Sequence, residues 1–97
     1  MRAGYFEAVG VAYFRDDCSE PQITKPTDVK IRMRNCGICG SEVHAYHGKH
    51  PFRIPPIVSG HEAAGDVVEV GSAVTEFKPG DRVVVEPHYG CGECWYC

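Results

Sequence analysis

The stretch GHEAAGDVVEVGSAV, residues 60–74, carries the clearest architectural signal in the chain. Its centre, GDVVEV at 65–70, mixes valines with acidic residues and is stopped by Gly71-Ser72, which is the pattern of a short strand bounded by turn residues. Gly60, Gly65 and Gly71 are spaced through it, and glycine in or beside a strand marks a bend or a close backbone approach. At the entrance stand His61 and Glu62, an imidazole beside a carboxylate, a pair able to bind a metal or to move protons. Taken alone, His61 suits a hydrogen-bonded structural role equally well.

The same strand-and-turn pattern extends outward. VKIRMR at 29–34 alternates strictly, with Val29, Ile31 and Met33 on one face and three cations on the other, the period of a half-buried strand. VVV at 83–85 reads as a more deeply buried strand. It follows Lys78-Pro79-Gly80-Asp81, where Pro and Gly fill the central positions of a type II turn. Residues 2–15 predict a hairpin around Gly10. Only Ser41–His47 looks helical, with Ser41 as its N-cap followed by Glu42. Pro51, Pro55 and Pro56 stiffen a loop over 51–56. Many short strands and little helix predict a mainly β, barrel-like domain spanning residues 1–97.

Composition narrows the partners. A chain of 97 residues with 43% apolar content can bury a modest core. A net charge of −3 offers no basic patch to displace counterions, which argues against nucleic acid. Neither a signal-peptide pattern nor a bilayer-spanning apolar run is visible, so no membrane partner and a cytoplasmic location are expected. In that reducing setting the six cysteines point to metal binding or catalysis rather than to disulfides.

Their spacing carries more. In CGECWYC, Cys91, Cys94 and Cys97 repeat a three-residue step, which turns neighbouring thiolates toward one ion. Free or redox-active thiols are the alternative; the doubled spacing favours a metal, with zinc ahead of an iron–sulfur cluster. Cys36-Gly-Ile-Cys39 is too distant in sequence to complete the same ribbon, so the two groups serve different sites. A thioredoxin-like redox role would need a βαβ context that this strand-rich pattern lacks.

Gly60, His61, Glu62, Gly65, Gly71 and Val74 fill every fixed place of a signature belonging to the zinc-containing alcohol dehydrogenases of the medium-chain dehydrogenase/reductase family. CGICGSEVHAYHG at 36–48 resembles that family's Gly-Ile-Cys-Gly-Thr/Ser-Asp-x-His stretch, and CGECWYC resembles the start of its structural zinc lobe. The three motifs stand in the family's order, and the polyol and threonine dehydrogenase branch is the most similar.

The resemblance implies a GroES-like barrel, the N-terminal catalytic domain of these enzymes, and a catalytic zinc held by Cys39 and His61 with Glu62 ligating or approaching it. It also implies a structural zinc held by Cys91, Cys94 and Cys97, and a proton relay through Ser41 and His44. Cys36 matches no ligand position. Glu42 departs from the Asp usual at its place, where the carboxylate supports the ligating histidine. The implied activity is oxidation of a secondary alcohol or polyol with NAD or NADP. The cofactor would be bound by a Rossmann domain beyond Cys97, where the fourth structural cysteine and a further catalytic ligand would also lie. On this reading the chain is the N-terminal part of a longer, oligomeric dehydrogenase, and alone is inactive. A non-catalytic zinc-binding GroES-like interaction module is the alternative. A zinc-independent quinone reductase relative is disfavoured by the cysteine and histidine set.

Overall fold

The computed structural model describes residues 1–97. In chain order it contains β1 (Ala3–Ala8), β2 (Val11–Arg15), β3 (Val29–Gly37), α1 (Gly40–Tyr46), β4 (Ile57–Val58), β5 (Glu62–Val70) and β6 (Arg82–Val84). The strands form two three-stranded sheets, ordered β2-β1-β4 and β3-β5-β6, with every pairing antiparallel. The hairpin around Gly10 and the strands at 29, 65 and 83 lie where their patterns place them, but the last is not deeply buried: β6 is a three-residue edge strand paired only with β5, and Val84 is 80% exposed. Two of these strands run longer than the pattern alone indicates, because β3 and β5 stay paired as far as Gly37 opposite Glu62.

The alternation of β3 does not persist to its end. Register shifts fall between Lys30 and Ile31 and between Met33 and Asn35, and Met33 is 54% exposed despite its apolar character. Bulges of this kind break the two-residue period, so a side chain expected to point inward can turn outward. Along β5 the period is kept: Ala63, Gly65 and Val67 are buried, with less buried neighbours between them. At Gly65 the opposite backbone comes so close that a Cβ would sit 2.3 Å from the carbonyl oxygen of Arg32. Only glycine allows β3 and β5 to approach in this way.

The turn before β6 has the predicted form. The Asp81 amide donates to the Lys78 carbonyl at 3.1 Å, and Gly80 takes φ of 97° at the position that type II turns reserve for it. The Asp81 carboxylate closes the turn on the Lys78 amide at 3.0 Å and the Lys78 ammonium at 2.8 Å. Residues 51–56 form the expected irregular loop, with a cis peptide between Pro55 and Pro56. No helix is long and apolar enough to cross a membrane.

Helix α1 begins earlier than Ser41. Its N-cap is Cys39, because the carboxylate of Glu42, three residues on, reaches back to accept the Cys39 amide at 3.0 Å. The other end is tied to the first sheet: the Gly10 amide donates to the Tyr46 carbonyl at 2.8 Å, and the rings of Phe6 and Tyr46 meet edge to face. This cap brings Cys39 and Glu42 to one end of the helix, beside the start of β5. Only six of the 97 residues are fully buried, so the core is thin for a domain of this size and a bound ion would add a staple.

Candidate functional site

At the junction of α1 and β5, ligand atoms of Cys39, Glu42 and His61 lie within 4.8 Å of one another. Cys39 arrives through the helix cap, Glu42 from the first turn of α1, and His61 from the residue before β5. Cys39 and His61 are half-buried and Glu42 is buried. The Nδ1 atom of His61 stands 2.8 Å from Glu42 Oε1. Arg53, from the proline-rich loop, completes the cluster: one guanidinium nitrogen pairs with Glu42 Oε1 and the other stands 2.7 Å from His61 Nδ1. The Ser59 hydroxyl also faces Glu42 Oε1, at 3.5 Å.

This environment keeps Glu42 ionised. Burial pushes its carboxyl up, but the hydrogen bond to His61, the Cys39 amide and the charges of His61 and Arg53 outweigh that and hold it below the usual carboxylate value. A thiol, an imidazole and a carboxylate converging on one point are a donor set that zinc accepts.

Glu62, adjacent to His61 in sequence, is not part of this cluster. It is exposed, it opens β5 opposite Gly37, and its carboxylate lies against that glycine, 2.6 Å from where a Cβ would stand. Successive residues entering a strand point to opposite sides, which separates the two neighbours. Cys36 faces the carbonyl of Gly37 at 3.5 Å and belongs to neither group of converging donors.

Ser41 and His44 lie on α1 three residues apart and so share a face. The Ser41 hydroxyl is buried without a hydrogen-bond partner, whereas His44 is exposed. The pair thus runs from an unsatisfied hydroxyl inside to an imidazole in solvent. His50 shapes the proline-rich loop. Its Nδ1 accepts the amides of Phe52 and Arg53 at 3.2 and 3.1 Å.

The second group is formed by Cys91, Cys94 and Cys97, whose sulfurs also lie within 4.8 Å of one another. All three are exposed. Backbone amides of Cys94 and Glu93, with the neighbouring thiols, pull the Cys91 thiol down to about 6, so it is largely thiolate at neutral pH. The Cys94 amide reaches Cys91 Sγ at 3.3 Å, and the sulfurs of Cys94 and Cys97 are 3.2 Å apart.

Two concavities accompany these groups. One of about 520 Å³ is lined by Tyr5, Phe6, Phe14 and Ile38; it meets the first site at Glu42 and Ser59, and neither Cys39 nor His61 lines it. A larger open depression of about 1100 Å³ lies along the second sheet, around Arg32, Arg34, Asp66 and Arg82, and contains none of the candidate ligands.

The family model described as the alcohol dehydrogenase GroES-like domain matches residues 25–97. The chain belongs to this family. This GroES-like domain is 46% identical over 82 residues to D-arabitol-phosphate dehydrogenase of Enterococcus avium, covering 84% of the chain and 23% of that protein. It is 48% identical over 75 residues to L-threonine 3-dehydrogenase of Chelativorans sp. strain BNC1, covering 74% of the chain and 22% of that protein. Among solved structures it is similar to alcohol dehydrogenase TADH from Thermus sp. ATN1, with a TM-score of 0.87 and 40% identity, over 100% of this chain and 28% of that one. The GroES-like domain therefore spans about a fifth to a quarter of the length of the curated relatives it matches.

Two site features had no clear sequence signal. Arg53 is one charge in a proline-rich loop, and its contact with Glu42 depends on the path of that loop. His50 as a loop acceptor is equally silent. Glu42 could have been placed beside Cys39, because a Glu at the third helical position commonly reaches back to the N-cap.

Proposed function

We propose that this GroES-like domain is the metal-bearing part of an oxidoreductase that oxidises a secondary alcohol or polyol with NAD or NADP. The observation that carries the reading is the convergence of Cys39 and His61, with Glu42 behind the imidazole, beside a buried and unpartnered Ser41 hydroxyl. Cys39 Sγ and His61 Nε2 would hold a catalytic zinc, and Cys91, Cys94 and Cys97 a structural one. A zinc ion supplies Lewis acidity toward an alcohol oxygen.

The remaining work falls to side chains of this chain. With the metal bound, Glu42 would accept a hydrogen bond from His61 Nδ1–H and so orient the ring with Nε2 free. The Ser41 hydroxyl would accept the alcohol proton while releasing its own, and His44, exposed and on the same helix face, would carry that released proton to solvent. Glu62, which the family resemblance places at the metal, would have to leave Gly37 to reach it.

No Gly-x-Gly-x-x-Gly occurs within these 97 residues, so nicotinamide binding is assigned outside them and the 97-residue chain alone is expected not to transfer hydride. Homo-oligomerisation of the whole protein, common in the family, belongs to the same proposal. The test is an assay of the protein that carries this domain, using NAD and NADP against secondary alcohols and polyols, before and after zinc removal. Reduction of the nicotinamide that disappears with the metal and returns with zinc is expected. Alcohol oxidation that survives complete metal removal would overturn the mechanism, and zinc binding with no turnover on any alcohol would favour a non-catalytic zinc module.

A further inference from the structure

His61 Nδ1 is approached by two groups that cannot both bond to it. The carboxylate oxygen of Glu42, at 2.8 Å, can only accept. The guanidinium nitrogen of Arg53, at 2.7 Å, can only donate. A bond to Glu42 needs a proton on Nδ1, which leaves Nε2 bare and able to ligate a metal. A bond from Arg53 needs a bare Nδ1, which puts the ring proton of neutral histidine on Nε2 and blocks that nitrogen.

Without a metal, the hydrogen-bond inventory favours Arg53. Glu42 is already supplied by other donors: the Cys39 amide on Oε2, and the second guanidinium nitrogen of Arg53 and the Ser59 hydroxyl on Oε1. The Arg53 nitrogen facing His61 has no other acceptor. Arg53 is held in place by its own amide, which donates to His50 Nδ1 at 3.1 Å, and its side chain is only 25% exposed. We propose that Arg53 competes with Glu42 for His61 Nδ1, holds the metal-free imidazole with its proton on Nε2, and so gates metal entry at Cys39 and His61. Loading then requires the ring proton to move to Nδ1 and the guanidinium to give up its contact with the ring while keeping Glu42.

The inference rests on His61 being a metal ligand, but its first readout needs no metal. In the 15N-labelled 97-residue chain, at a pH where the ring is neutral, the nitrogen shifts of His61 report its tautomer. The ring signal is identified by its loss in His61→Gln. The wild type is expected to carry the proton on Nε2. Arg53→Met removes the donor, and Arg53→Lys keeps the charge while losing the fork needed to reach Glu42 and His61 together. Both are expected to move the proton to Nδ1. Zinc titration followed on the same signals is expected to show binding roughly three- to tenfold tighter in Arg53→Lys, the worth of one displaced hydrogen bond. Arg53→Met gains at least as much, since a cation is also removed. An unchanged tautomer in both variants, or equal or weaker zinc binding in both, overturns the gate. A His61 ring that ignores zinc in every chain while Arg53→Lys still moves the proton overturns the metal reading and leaves the tautomer competition standing.

Discussion

Single residues divide by how locally their roles are encoded. Cys91, Cys94 and Cys97 were legible because a repeated three-residue step places their sulfurs together whatever the rest of the fold does. Cys39 and His61 were legible only through their motifs, because it takes the docking of α1 beside the start of β5 to join them. Arg53 was not legible at all, since nothing near it in sequence names Glu42. The carboxylate of Glu42 is the test of the candidate site at this scale. Replacing Glu42 by Gln removes the charge behind His61 while keeping the shape, and is expected to weaken zinc at Cys39 and His61 by roughly 10- to 100-fold, measured by chelator competition. Asp28 gives a test of folding chemistry away from the metals. The backbone amides of Thr24 and Lys25, each 2.9 Å from its carboxylate, with the Thr24 hydroxyl, hold its carboxyl below the usual value. A carboxyl lowered in the folded state stabilises the fold above its unfolded value and loses that contribution as the pH falls through the folded one. Asp28→Asn is therefore expected to melt at a lower temperature than wild type at pH 7. The two curves should begin to converge as the pH falls below about 3.9, the unfolded carboxylate value, and meet once it is below the folded one.

Elements were legible where apolar periodicity and turn chemistry agree. The strand cores at 29–34 and 65–70, bounded by turn residues, carry both signals, and the type II turn at 78–81 carries its own chemistry. Their ends were less legible because pairing, not pattern, sets them: β3 and β5 continue while each has the other to bond. The two residues of β4 have no period to read; they are a strand only because Tyr5 and Phe6 on β1 accept them as partners. The start of α1 was displaced for a similar reason, since the reach of Glu42 to Cys39 outweighs the intrinsic capping preference of Ser41. The contact of β3 with β5 makes the clearest prediction for an element. Gly65→Ala would drive a methyl into the Arg32 carbonyl and is expected to cost about 1–3 kcal/mol in urea unfolding. Val67→Ala, on the same buried face and only 1% exposed in the native chain, should cost about 2 kcal/mol by leaving space rather than by filling it.

At the scale of the whole molecule, two sheets, one short helix and a thin core support two donor groups that share no residue. Large apolar side chains such as Phe14, Phe52 and Trp95 remain exposed, so burial alone stabilises the chain weakly. Ions that bind the folded state and not the unfolded one would then raise its stability by mass action. Independent loading is expected: Cys94→Ser should abolish zinc at the cysteine-rich group and leave the signals of His61 responding to zinc as before. The fold class was legible at this scale because many short strands with turn residues admit few arrangements. The partition into β2-β1-β4 and β3-β5-β6 was not, because long-range pairing leaves no mark in one sequence. Whether Cys39 and His61 form one metal centre and the three terminal cysteines another is decided by anomalous diffraction at the zinc edge from crystals of the zinc-loaded protein. One peak bonded to Cys39 Sγ and His61 Nε2 is expected, with a separate peak among Cys91, Cys94 and Cys97. No density at Cys39 and His61 under saturating zinc, or a metal there bound through His61 Nδ1, would contradict the two-centre assignment.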